Sequence, residues 1–389
     1  MENKERALAH VEKIEWIRPI EGADNIELIG VLGWVCIAKK GEFNVGDMAV
    51  YIEIDSKCPE TDERFAFLAN KKFKVKTMKL GKFKVISQGL ALPLSLFPEL
   101  QDRNIGDDVT EALKITYASE EDAARKTNKI DPNAKYKSMA KRRPKLFANP
   151  IVRRIMRYSI GRKIMFLLFG RKKDNPKKFP DWIVKTDETR IENAPFYLQS
   201  TEKWIKTEKC DGTSCTFAVD RLKKGKNKFD FIVCSRNVRQ ADREQACYHE
   251  SNIYWELADK YDIEKILTQF ATENDYNRVV LQGEGVGSVQ GNPYKFTENK
   301  LFVFNLIIDG IRLGTVEMAD FCKSHGLTSV PIIDTAYELP KTMEEMKLEA
   351  DGYSELNPKV KREGFVYRSI DGQQSFKNVS REYLLKHNG

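Results

Sequence analysis

Between residue 1 and about residue 115 the apolar residues come in short bursts, and no segment holds a convincing helical period. Gly33-Trp34-Val35-Cys36-Ile37-Ala38 and Met48-Ala49-Val50-Tyr51-Ile52-Glu53-Ile54 are rich in β-branched and aromatic residues. Turn formers such as Gly41-Glu42-Phe43-Asn44-Val45-Gly46-Asp47 bound them. Several short strands without helices must bury their faces against one another, and a small barrel does this. The chain has 389 residues, 41% hydrophobic and 31% charged, so it has room for two or three domains with real cores and does not read as disordered.

Residues 116–180 change character. A polar, charged stretch of weak periodicity leads into Ile151-Val152-Arg153-Arg154-Ile155-Met156-Arg157-Tyr158 and Ile164-Met165-Phe166-Leu167-Leu168-Phe169. Arg171, Lys172, Lys173, Lys177 and Lys178 follow. The apolar run is too short to span a bilayer. It reads as a helical linker whose apolar face packs on a neighbouring domain; the other reading is a basic amphipathic helix that lies on a membrane surface through 151–178.

From about 181 to 389 helices and strands mix. Ser214–Asp220 and Phe229–Ser235 read as a strand pair, and Ser251–Asn274 as one long helix. Arg278–Gly283, Lys300–Ile308, Glu363–Arg368 and Gln373–Asn378 read as strands, and Ser380–His387 as a terminal helix capped by Ser380. Without strict βαβ alternation this pattern predicts an α+β domain with antiparallel sheets.

The net charge of +8 suits a polyanionic partner without requiring one. Seven scattered cysteines lack a Cys-x-x-Cys pair and only four histidines occur, which argues against zinc. The odd cysteine count suggests reduced thiols and an intracellular, cytoplasmic setting. Met1-Glu2-Asn3-Lys4-Glu5-Arg6 lacks the apolar run of a signal peptide.

The chemistry is concentrated around Glu208-Lys209-Cys210-Asp211-Gly212-Thr213-Ser214. A lysine attacks phosphorus only as the neutral amine, so its pKa must fall through desolvation or nearby cationic charge. Gly212 lets the backbone approach a nucleotide, and Asp211 can help hold a hydrated metal ion. Alone the tetrapeptide is a common surface turn. An ordered set follows it: Ser235-Arg236-Asn237, Gln282-Gly283-Glu284-Gly285, Leu301-Phe302-Val303-Phe304-Asn305, Arg362-Glu363-Gly364-Phe365-Val366-Tyr367-Arg368 and Ser375-Phe376-Lys377-Asn378.

In order and spacing these segments resemble the covalent nucleotidyltransferase superfamily of RNA ligases, DNA ligases and mRNA capping enzymes. The closest likeness is to the Deinococcus-type RNA ligases, which carry an OB-like domain in front of the nucleotidyltransferase domain. Pro19-Ile20-Glu21-Gly22-Ala23-Asp24, Gly46-Asp47, Tyr51-Ile52-Glu53-Ile54-Asp55-Ser56 and Ser87-Gln88-Gly89-Leu90 resemble that OB-like domain. Lys185-Thr186-Asp187-Glu188-Thr189-Arg190 resembles the start of the catalytic domain. The likeness spans about 1–110 and 179–389. It implies an OB-like β-barrel over 1–115, a charged linker with a basic amphipathic insertion over 116–180, and an antiparallel-sheet, ATP-grasp-like adenylyltransferase domain over 181–389.

The resemblance implies roles residue by residue. Lys209 forms the phosphoramide with AMP, Glu208 reads the adenine edge and Phe304 stacks on the base. Arg236 contacts ribose or the incoming phosphate. Asp211, Glu284 and Glu363 hold the ribose or the waters of Mg²⁺ or Mn²⁺, and Lys377 touches the α-phosphate. Where the superfamily often has Lys-x-Lys, Ser375 stands at the first position. The implied activity is ATP-dependent sealing of 3′-hydroxyl and 5′-phosphate RNA ends, nicks foremost, by a monomer without an obligate protein partner. Alternatives are a DNA ligase, a capping-type guanylyltransferase, or a non-catalytic OB-fold RNA-binding protein. Each residue also has a bland reading: Glu284 and Glu363 as solvated strand ends, Phe304 as core, Arg236 as a surface ion pair. His249, His325 and His387 read as packing or surface residues, and Cys210 and Cys215 lack a base partner.

Overall fold

Strand β1 (Ala9–Pro19) is the spine of the N-terminal domain. Its first half pairs antiparallel with β4 (Met48–Ile52), and its second half with β2 (Ile26–Val31). The register shifts between Ile14 and Trp16, so one strand serves two half-sheets and turns between them. The sheet runs β3 (Trp34–Lys39), β2, β1, β4, β5 (Leu90–Pro93) and carries cores on both sides. Gly30 is obligatory here: a Cβ would lie 2.1 Å from Trp16 Nε1, so a larger residue would displace the indole. A 3₁₀ helix over Glu63–Lys71, capped by Asp62, breaks the all-strand expectation. The computed structural model describes residues 7–118, 144–169, 177–222, 228–240 and 252–387.

His10 is buried between two carboxylates, with Nδ1 2.8 Å from Glu12 and Nε2 3.5 Å from Glu53. Burial pulls its pKa down, but hydrogen bonds and charge from Glu12 and Glu53 outweigh that and push it up to about 9. The folded value lies above the unfolded one of about 6.5, so this stabilisation is full below that pH and is lost as pH rises through 9. A rise of that size corresponds to about 3 kcal/mol. Urea midpoints should therefore fall between pH 6 and pH 9.5, and His10→Gln should flatten the fall. A wild-type midpoint that holds level would contradict the assignment.

The C-terminal part holds two sheets. In the larger, of eight strands, β8 (Phe229–Cys234), β7 (Thr213–Arg221), β9 (Arg278–Val286) and β10 (Lys300–Ile308) are neighbours in that order. Helices α4 (Ile253–Lys260), α5 (Ile263–Glu273) and α6 (Thr315–Ser324) contribute to the core on one of its faces. The single helix expected over 251–274 is two, because Asp262 takes a left-handed conformation with φ of 50°. The smaller sheet runs from the two-residue strand Thr189–Arg190 through β13 (Ser375–Val379), β12 (Gly364–Ser369) and β6 (Trp204–Glu208) to β11 (Ile332–Tyr337).

The motif Tyr51–Ser56 faces the catalytic domain. Arg190 reaches Asp55 at 3.0 Å, Asn193 donates to Glu53, and Trp34 Nε1 donates to Asn193 at 2.5 Å. Helix α7 (Met343–Ala350) adds Lys347, which is buried against Glu192 at 2.5 Å. Helix α8 (Arg381–His387) lays Leu384 and Tyr383 into the same core as Ile14, Trp34 and Tyr51. Ser380 Oγ accepts from Tyr383 N–H, as the expected cap would.

Between the domains lie α1 (Pro144–Ala148), α2 (Pro150–Met156) and α3 (Ser159–Phe169). Their buried cluster is their own: Phe147 and Met165, with Leu146, Val152 and Met156 against them. The expectation that the apolar face packs on a neighbouring domain does not hold for its described side chains Ile151, Ile160, Ile164 and Leu168, which are exposed. Among the described residues no helix is long and apolar enough to cross a membrane.

Candidate active site

Lys209 lies on the short connection that leaves the smaller sheet at β6 and joins the larger at β7. Two hydrogen bonds hold it to the smaller sheet's side. Lys209 N–H donates to Gly364 O at 3.0 Å, and Glu208 N–H to Pro331 O at 2.9 Å. On the other side the loop is pressed against β9. A Cβ on Gly212 would stand 2.4 Å from Gly285 O, so only glycine fits.

This crossover brings residues from both sheets together. Lys209 Nζ lies 2.8 Å from Glu363 Oε1, at the start of β12, and is 27% exposed, open enough to meet a ligand. Burial would lower its pKa, but Glu363, Glu284 and Asp211 outweigh it and hold the ammonium above the ordinary lysine value. Glu284, from β9, shares that field. Burial first, then repulsion from Glu363 and Asp211, push its pKa up to about 8 against the pull of Lys209 and Arg236. The lowered amine pKa anticipated from the sequence is thus not a property of the protein alone.

Asp211 is fixed by two aromatic hydroxyls from distant parts of the chain. Its N–H donates to Tyr294 Oη at 2.7 Å, and its carboxylate takes the hydroxyl of Tyr383 on α8. Phe304, half-buried on β10, joins Phe302, Tyr294 and Val286 in an apolar cluster beside Cys210. The Cys210 thiol is pushed well up by burial and by Glu208, which leaves it inert at neutral pH.

Glu208, expected to read the adenine edge, is engaged within the protein. Its carboxylate is 1% exposed and accepts from Ser354 Oγ and from the Glu355 N–H at 2.7 Å. Both oxygens are engaged inside the protein, so the side chain holds the 354–356 turn.

Arg236 and Lys377 meet on one carboxylate that sequence reasoning left without a role. Asp187 is 2.7 Å from Lys377 Nζ and 3.2 Å from Arg236 Nη2. The next residue, Glu188, receives Arg368 at 3.1 Å and Arg312 at 3.6 Å and accepts from Ser375 Oγ. Ser375, standing where a lysine is common, is thus flanked by two arginines. The signal was present as adjacent acids in Lys185–Arg190, but their partners are scattered from Arg236 to Lys377. Parallel pairing of Thr189–Arg190 with Phe376 and Lys377 brings them together.

Among the described residues no three His, Cys, Asp or Glu side chains converge closely enough to cage a metal. Asp211, Glu284 and Glu363 do form an anionic surround for one lysine, with Glu284 pushed up by burial and by the other two carboxylates. Such a set fits a hydrated, hard divalent cation held through its waters.

Comparison with known proteins agrees with this architecture. A family model described as RNA ligase matches residues 202–386, and one described as an OB-fold domain matches residues 8–94. Naegleria gruberi RNA ligase with pyrophosphate is similar at 31% identity and TM-score 0.75, over 98% of this chain and 99% of that one. A mutant of that ligase with ATP and Mn is similar at 30% identity and TM-score 0.74, over 98% and 99%. An apo mutant gives 30% and 0.75, over 100% and 99%. Among curated protein sequences none matches. With an OB-fold domain ahead of a two-sheet domain, and a relative this similar along the whole of both chains, the chain belongs to the RNA ligase family.

Proposed function

We propose that this ligase takes AMP from ATP onto Lys209 and spends it on sealing RNA ends. The observation that carries the reading is the convergence at the crossover: an open lysine amine on Glu363, with Arg236 and Lys377 gathered on Asp187. The Naegleria ligase with ATP and Mn, and with AMP and Mn, supports the choice of nucleotide and metal.

In the first step the Lys209 amine, neutral after losing one proton to solvent, attacks the α-phosphorus of ATP and passes the proton released on N–P bond formation to Glu363 Oε1. The N–P bond forms and the bond to pyrophosphate breaks. In the second, an oxygen of the RNA 5′-phosphate attacks that phosphorus, the N–P bond breaks and the amine regains its proton. In the third, a 3′-hydroxyl attacks the activated 5′-phosphate and AMP leaves. Phosphate oxygens that gain charge in these steps need cations already in place. Lys377 and Arg236 supply them, and the Asp187 carboxylate occupies the position on both that a phosphate would take. Phe304 offers its ring to the base. Asp211, Glu284 and Glu363 would hold a divalent cation through its waters, and bound there it would supply positive charge that lowers the amine's pKa.

An OB-fold ahead of the ligase domain supplies a surface that can bind a nucleic-acid strand, and the substrate we propose is a duplex with a nick in RNA. Nicked duplexes that differ only in a ribose or deoxyribose at the 3′ end decide it. Faster sealing of the ribose end is expected. Equal sealing would favour a DNA ligase, and labelling by GTP in place of ATP a capping-type enzyme.

The raised amine pKa predicts the pH dependence. Below that pKa the neutral fraction rises about tenfold per pH unit, so at fixed metal the adenylylation rate should climb towards alkaline pH. With the divalent cation kept saturating for each protein, Glu284→Gln removes one of the carboxylates that hold the proton and should move this limb to lower pH. A limb that stays or moves upward would refute the electrostatic account.

A further inference from the structure

Among the described side chains of the interdomain helices, several large apolar ones are exposed. Ile151 and Ile160 are each 70% exposed, Tyr158 66%, Leu168 65% and Ile164 50%. Ile160, Ile164 and Leu168 recur every four residues along α3, which aligns them in one stripe. Arg153, Arg154, Arg157 and Lys163 are exposed beside them, and no acid occurs between residues 144 and 169. Isolated exposed apolar residues need no explanation, but an aligned stripe rimmed by uncompensated cations does.

We propose that residues 150–169 form a docking surface for an anionic lipid bilayer. The isoleucine and leucine side chains would enter the boundary between headgroups and acyl chains, and the arginines would meet lipid phosphates. Charge selects this occupant. A second copy of the chain would bring the same cations against themselves, from a molecule of net charge +8. RNA would satisfy the arginines but leave the apolar stripe in water. At eleven residues α3 is too short to span, so the contact is with one leaflet. The proposal is independent of the ligation chemistry, and adenylylation by ATP serves as the control for folding.

The test is flotation of the full chain with vesicles of zwitterionic lipid, with or without about a third anionic lipid. Wild type should float with anionic vesicles only. Ile160→Asn, Ile164→Asn and Leu168→Asn combined should cut the bound fraction at least about tenfold and leave adenylylation unchanged. A second variant, Arg153→Gln, Arg154→Gln and Arg157→Gln combined, should also lose binding. No flotation of wild type at low salt would overturn the proposal. So would flotation of the asparagine variant equal to wild type, which would mean adhesion by charge alone. Loss of RNA binding in the asparagine variant, with no flotation of wild type, would assign the surface to RNA. A wild-type dimer that the asparagine variant dissolves, again without flotation, would assign it to self-association.

Discussion

A Lys209→Ala variant is expected to seal nicks with ATP at least about a thousandfold more slowly than wild type, as loss of a covalent nucleophile does elsewhere. The loss should be confined to the first step. Once AMP sits on the 5′-phosphate, the remaining attack by the 3′-hydroxyl needs cations and alignment but no lysine amine. The variant should therefore still close a nick supplied with a pre-adenylylated 5′ end, at a rate within about tenfold of wild type. Lys377→Ala should separate from it, because a cation on the phosphate serves every step. It should slow closure of the pre-adenylylated nick as well. If Lys209→Ala fails equally on both substrates, the lysine is structural and its contact with Glu363 is an ordinary ion pair.

The second large effect concerns stability. Lys347 and Glu192 are each 1% exposed and 2.5 Å apart, and Lys347 also donates to Val379 O at 3.0 Å. Burial lowers the lysine's pKa even with Glu192 beside it. Lys347→Ala strands a carboxylate in the interior and should cost about 3–5 kcal/mol. The site also joins the domains: Glu192 O accepts from Gly33 N–H at 2.8 Å, and Val379 lies in the core shared with Trp34. Replacing both partners, Lys347→Met with Glu192→Leu, should cost much less than Lys347→Ala alone. Urea unfolding decides, and a loss below about 1 kcal/mol for Lys347→Ala would contradict the reading.

What was legible in the sequence was mostly local. The short strands of the first domain and the Lys209–Gly212 loop announce themselves through turn residues and alternation. Residues that hold the site from afar do not. Tyr294 and Tyr383 reach Asp211 from 83 and 172 positions away, and a lone tyrosine carries no local mark. Asp187 is legible as an acid, but its grip on Lys377 depends on a parallel strand pairing that no short-range pattern encodes. The partners of Glu208 are hidden for the same reason: a turn near residue 354 takes its carboxylate. The apolar period across Tyr261 and Ile263 continues through the break at Asp262, so periodicity alone could not place it. The stripe on α3 looks like any core-facing helix until the exposure of Ile160, Ile164 and Leu168 is seen.

The central claim is that Lys209 carries AMP. Intact-mass measurement after incubation with ATP and magnesium or manganese tests it most directly. The account predicts a gain of one AMP per chain, acid-labile as a phosphoramide is, located on the peptide that contains Lys209 and absent from Lys209→Ala. An adduct on another residue, or no adduct in a protein that still binds RNA, would contradict it.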